Sequence, residues 1–154
     1  MIETASRDAL TRRQRGMARL DAHPELPECR RCFGTGPVAP VGAHLPGIAD
    51  GLFRHRPLAI FGKLPKACPP GRFGEILRPG GAIGFCPLSF HAGQDGLRSR
   101  PGEIVHEVSH IAAGTRDLLS SPTRAAILAK KDLTAAGMNA DNDEYVVGSA
   151  GRAR

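Results

Sequence analysis

His106, Glu107 and His110 form an HExxH within the stretch Pro101 to Asp117, PGEIVHEVSHIAAGTRD, which constrains the fold more than any other part of the chain. Side chains four residues apart lie about 40° apart around an α-helix, so a helix here lets both imidazoles grip one ion. Glu107, next to the first His, then faces a water on that ion and is the candidate general base. Ile104, Val108, Ile111 and Ala112 recur at three- and four-residue spacing on another face, which gives the helix an apolar stripe to bury. Ser99 or Arg100, ahead of Pro101, marks its start, and Gly114 supplies the left-handed residue that commonly closes a helix.

A catalytic zinc takes three protein ligands and leaves one position for water, so a third ligand is required. Arg116 occupies the position six residues beyond the motif where one class of HExxH protein carries a third His. Asp117 is the nearest candidate. It follows the predicted helix stop, where a chain reversing at Gly114 and Thr115 brings a short carboxylate back toward the ion.

Three motifs together resemble the aspzincins, the family of deuterolysin and the peptidyl-Lys metalloendopeptidases. They are the HExxH of His106 to His110, the Gly114-Thr115-x-Asp117 that follows it, and Asn139-Ala140-Asp141-Asn142-x-Glu144-Tyr145. A fourth, Ile83 to Phe90 around Cys86-Pro87, is similar to the apolar strand preceding the metal helix in bacterial members. The resemblance implies an α+β zincin-like domain with a small antiparallel sheet beside the HExxH helix. It implies one catalytic Zn²⁺ on His106, His110 and Asp117, with Glu107 as the base, in a metalloendopeptidase acting on protein or peptide substrates. In Lys-specific members the residues matching Asp141 and Glu144 receive the substrate lysine, which implies a preference for Lys at P1′. Where the family carries a Tyr shortly after the Asp ligand, Leu118 and Leu119 follow here, and Tyr145 is the only tyrosine. Either another donor stabilises the oxyanion or turnover is slow.

Asp141 and Glu144 also have a structural reading, because residues three apart at a helix start form a capping box. A calcium loop does not fit, since Glu144 stands where its glycine belongs and Ala150 where its bidentate Glu belongs.

With 154 residues the chain suits one domain, with a basic N-terminal helix about 5–20 and a catalytic core about 58–150. Trp is absent while Gly numbers 19 and Pro 13, which predicts a loop-rich domain with an aliphatic core. The net charge of +6 fits an acidic partner and equally serves solubility. A basic nucleic-acid-binding module with a fortuitous HExxH is the alternative from another class, and the ordered downstream motifs argue against it. No stretch reads as a membrane span or as a secretory signal. That leaves a cytosolic regulatory protease cutting one partner, or an effector or toxin domain exported by a specialised route, as readings of its location. Oligomeric state is not legible.

Cys29, Cys32, Cys68 and Cys86 are open to disulfide, thiol or metal-ligand readings; a lone CxxC without a second CxxC disfavours a structural zinc. Gly34-Thr35-Gly36 reads as a turn, and Pro37 to Pro70 as irregular chain with a short strand at Leu58 to Phe61. His44, His55 and His91 stand alone and are not assigned as ligands. Phe73 to Leu77 and Ala82 to Phe85 read as a hairpin turning through Pro79-Gly80, its second strand beside the metal helix with an edge open to an extended substrate. Ser121-Pro122 opens a helix over Thr123 to Ala136 that ends at Gly137, and Asn139 or Asp141 starts another.

Overall fold

The computed structural model describes residues 68–77 and 82–150, with isolated positions 7–9, 11, 12, 14–16, 18, 30 and 47. The CxxC pair, the Gly34 to Gly36 turn, His44, His55, the Leu58 to Phe61 strand and the Pro79-Gly80 turn lie outside the described residues. Strands β1 (Gly74–Leu77) and β2 (Ala82–Phe85) are followed by α1 (Pro87–His91), α2 (Arg100–Ala112), α3 (Pro122–Lys131), α4 (Leu133–Gly137) and α5 (Ala140–Ala150). The architecture is α+β, with the described sheet a single antiparallel pair in the register Gly74↔Phe85, Ile76↔Ile83.

The strands form where the sequence places them, but their roles are exchanged. Ile83 and Phe85 point from one face of β2 into the core, and β1 is the strand whose Gly74, Glu75 and Ile76 border the cleft. The expectation that the second strand flanks the metal helix is therefore corrected: β2 carries the larger apolar side chains and is spent on burial. Cys68 and Cys86 are joined by a disulfide with Cα atoms 5.6 Å apart. Loop-closure entropy makes such a link worth about 3 kcal/mol. It settles two of the four cysteines, and the Phe73 carbonyl adds to the same tie by accepting from Cys86 N at 2.7 Å and from the Ser89 hydroxyl.

Helix α2 starts at Ser99, whose Oγ accepts from Gly102 N at 3.2 Å, and closes through Ala113 into Gly114 at φ 68°. Its apolar face, Ile104, Val105 and Val108, is buried against Tyr145, Val146 and Val147 of α5 within one cluster that also takes in Ala9. Each such side chain contributes roughly 1.5–3 kcal/mol on leaving water. The α2–α5 contact is the most extensive between elements, so the face of α2 that carries the histidines is held from behind. Residues 7–9, 11, 12, 14–16 and 18 are helical, and Arg12 pairs with Asp95 at 2.7 Å.

The single helix predicted from Thr123 to Ala136 is two. Asp132, with φ −148° and ψ 96°, ends α3 and caps α4, its Oδ1 accepting from Ala135 N at 2.9 Å. A short carboxylate that bonds a nearby backbone N–H competes with the helix ladder, and here it wins.

Candidate metal centre

Four residues beyond His106, His110 stands on the same face of α2, as the spacing demands, and Gly114 then reverses the chain to bring Asp117 back to both. His106 Nε2 lies 3.0 Å and His110 Nε2 3.2 Å from the same Asp117 Oδ1, and the two Nε2 atoms are 3.2 Å apart. Tetrahedral zinc with bonds near 2.0–2.1 Å separates its ligand atoms by roughly 3.3 Å. Two imidazole nitrogens and a carboxylate oxygen at this spacing therefore fit zinc in both size and donor chemistry.

The loop bearing Asp117 is pinned to the start of α5. Asn139 Oδ1 accepts from Leu118 N and Leu119 N at 3.0 and 3.2 Å, and its Nδ2 donates to Leu119 O. Backbone bonds Arg116 N to Met138 O at 2.8 Å and Ala140 N to Arg116 O at 3.1 Å complete the joint. His110 is held from within the loop, with Nδ1 2.9 Å from Thr115 O.

The centre opens on a cavity of about 580 Å³ bounded by β1, α2, the Asp117 loop and α5. Glu107 is buried on its wall, and a Cβ placed on Gly74 would come within 3.1 Å of Glu107 Oε1, so glycine lets β1 approach this closely. Burial pushes the Glu107 carboxyl up from its ordinary value, while His106 and His110 pull it down. Burial lowers both imidazoles, but Asp117 together with Glu144 and Glu107 at His106, and Asp117 together with the Thr115 carbonyl at His110, outweigh it, and each is raised. Asp117 itself is held far below the usual carboxylate range by the same two hydrogen bonds.

Asp141 and Glu144 both reach the cavity wall, from the first turns of α5. Asp141 Oδ1 accepts from the Tyr145 hydroxyl at 2.9 Å. Tyr145 is thereby engaged in the interior, 2 % exposed and not among the residues that line the cavity. The cationic groups on that wall are Arg72, 3.3 Å from Glu75, and Arg98, which donates to Ser120 O at 2.7 Å.

Sequence reasoning assigns no role to Glu103, which lines the same wall with its carboxyl pushed up to about 8, first by burial and then by Glu144. Its position, three residues before His106 and four before Glu107, is the signal that places it on their face. Asn139 is marked in the sequence as part of a motif and as a possible helix start. Its work is done across the loop, on backbone atoms that no local pattern announces.

The aspzincin family model, described as a lysine-specific metallo-endopeptidase, matches residues 77–147, the part of the chain that builds this centre. Peptidyl-Lys metalloendopeptidase of Grifola frondosa is 37% identical over 78 residues, which are 49% of this chain and 20% of that protein. Extracellular protease of Aeromonas hydrophila is 45% identical over 63 residues, 40% of this chain and 18% of the relative. The solved zinc peptidase from Grifola frondosa superposes with a TM-score of 0.78 at 25% identity, covering 94% of this chain and 90% of that one. Over residues 77–147, somewhat under half of its length, the chain is similar to the aspzincin family. Its matched stretch spans about a fifth of the length of these curated relatives. Aspzincin character rests on the centre's surroundings as much as on HExxH, since the match extends through β2, the Asp117 loop and α5.

Proposed function

We propose that this chain is a zinc-dependent metalloendopeptidase that hydrolyses peptide bonds in the cavity between β1 and α5. The observation that carries the proposal is the triangle of His106 Nε2, His110 Nε2 and Asp117 Oδ1, with sides of 3.0–3.2 Å, next to a buried Glu107. When bound there, zinc supplies a Lewis acid and lowers the pKa of water. Glu107 takes a proton from the attacking water and delivers it to the leaving amine, and a carboxyl raised by burial suits both transfers near neutral pH. An extended substrate lies along β1, whose residues border the cavity.

Asp141 and Glu144 on the cavity wall support a preference for Lys at P1′, where two carboxylates favour an ammonium and reject an acidic side chain. A curated relative is named for the same residue. The Cys68–Cys86 disulfide favours an oxidising location, hence an exported protein, of which an effector or toxin domain is the narrower form.

Metal analysis of the purified chain tests the centre. About one zinc per chain is expected; His106→Ala or His110→Ala removes it, and Glu107→Gln keeps it but abolishes hydrolysis. Zinc retained in both His variants sinks the proposal. A peptide-library profile tests the pocket separately: no enrichment of Lys at P1′, or enrichment untouched by Asp141→Asn and Glu144→Gln, removes the Lys preference alone.

A further inference from the structure

The two imidazoles of the centre differ at their far nitrogens. His110 Nδ1 has an acceptor at hydrogen-bond distance, Thr115 O at 2.9 Å. His106 Nδ1 is buried and has no hydrogen-bond partner. A neutral imidazole that gives Nε2 to a metal carries its proton on Nδ1, and a buried N–H without an acceptor is costly. Two carboxylates face it. Glu144 Oε2 is at 3.6 Å and Asp141 Oδ2 at 3.9 Å. Asp141 already accepts from Tyr145 through its other oxygen, whereas Glu144, 2 % exposed, has in Oε1 a buried oxygen with no partner. The metal helix also leaves room for Glu144, since a Cβ on Gly102 would lie 3.0 Å from Glu144 Cγ.

We infer that Glu144 is a positioning residue of the metal centre: its carboxylate accepts from His106 Nδ1–H and fixes the tautomer and ring angle of that ligand, as Thr115 O does for His110. The inference rests on the metal-centre reading and gives Glu144 a duty in zinc binding independent of any substrate lysine. A small rotation of either side chain closes 3.6 Å to a hydrogen bond, and zinc, by fixing the proton on Nδ1, favours that closure.

The test uses the full chain, stripped of metal and titrated with zinc against a chelating dye. Glu144→Ala weakens zinc roughly 10- to 100-fold. Glu144→Gln, whose amide oxygen still accepts, recovers most of that loss. In histidine ¹⁵N–¹H correlation spectra of the zinc-loaded protein, two Nδ1–H signals are protected from exchange. That of His106 moves in Glu144→Gln while that of His110 stays, a readout that a merely structural role for Glu144 does not predict. If Glu144→Ala does not fold, the near-isosteric Glu144→Gln carries the spectroscopic test by itself.

Unchanged zinc affinity in Glu144→Ala, or an unmoved His106 signal in Glu144→Gln, overturns the inference. So does Asp141→Asn if that substitution alone produces both effects. Failure of the underlying reading looks different: wild-type protein then binds no zinc, or binds it equally well in His110→Ala.

Discussion

Two sets of carboxylates are coupled electrostatically to the histidines of α2, and the structure treats them in opposite ways. Asp117 is 61% exposed yet paired to both histidines, which holds it ionised far below the usual range. On the α2–α5 side, Glu103 and Asp143 are buried, and burial pushes them up to about 8 and about 7. Asp143 is 1% exposed and neither of its oxygens has a partner. Partnership keeps the exposed acid ionised, and burial without a partner keeps the deep ones protonated. The exposed set is suited to holding a cation, and the buried set stores protons behind it.

Removing the paired set has the largest expected effect. Asp117→Ala should weaken zinc by at least about 100-fold, roughly 3 kcal/mol, as read in the dye competition. In metal-free protein, the depressed carboxylate contributes stability that is present above its unfolded value, near 4, and lost as pH falls below it. Solvent exposure keeps that contribution small. Zinc affinity within about threefold of wild type would mean that another group completes the centre, and the comparison would lose its first member.

Next in size is the joint that keeps the two sets in register. Asn139 is fully buried and gives one oxygen to two backbone N–H groups of the Asp117 loop, while its Nδ2 donates to Leu119 O and, at 2.6 Å, to Asn142 Oδ1. Asn139→Ala strands these partners and should cost about 2 kcal/mol in urea denaturation. Zinc affinity should fall about tenfold as the loop loosens, by analogy with other supporting shells. Asn139→Asp keeps the acceptor and loses the donor, so it should lie between. A stability loss with unchanged zinc affinity would show that Asp117 holds its place without α5.

The contrast between the sets also divides what the sequence discloses from what it hides. The HExxH spacing, the Ser99 and Gly114 caps, the Ser121-Pro122 start and the two strands are all written in residues within a turn or two of each other. Asp117 was legible because it follows closely on the helix stop. The break at Asp132 was not, because apolar spacing continues through it while one side chain caps Ala135. The Cys68–Cys86 pairing, the choice of β1 as the cleft strand and the Thr115 carbonyl behind His110 depend on tertiary placement. Asp143 is hidden as well, since an acid in a polar run near a helix start carries no local sign of burial, yet it is 1% exposed.

That burial yields the smallest and most specific prediction. With a folded value of about 7 against an unfolded value near 4, Asp143 keeps its proton in the native chain over a window where the unfolded chain has released it. Native protein then binds more protons than unfolded protein, so its stability falls as pH rises from about 4 to about 7, and Glu103 extends the fall toward 8. Burial is the main cause for both groups; His106 and His110 oppose it at Asp143, and Glu144 reinforces it at Glu103. Asp143→Asn removes the charge that must be neutralised while keeping the shape. In metal-free protein, urea denaturation should find variant and wild type within about 0.5 kcal/mol near pH 4.5, and the variant more stable by roughly 3 kcal/mol at pH 8. The Glu103 part of the slope should survive in the variant and disappear in Glu103→Gln. An identical pH slope in Asp143→Asn and wild type would mean that Asp143 finds a partner in solution, and the buried set would then follow the same rule as the exposed one.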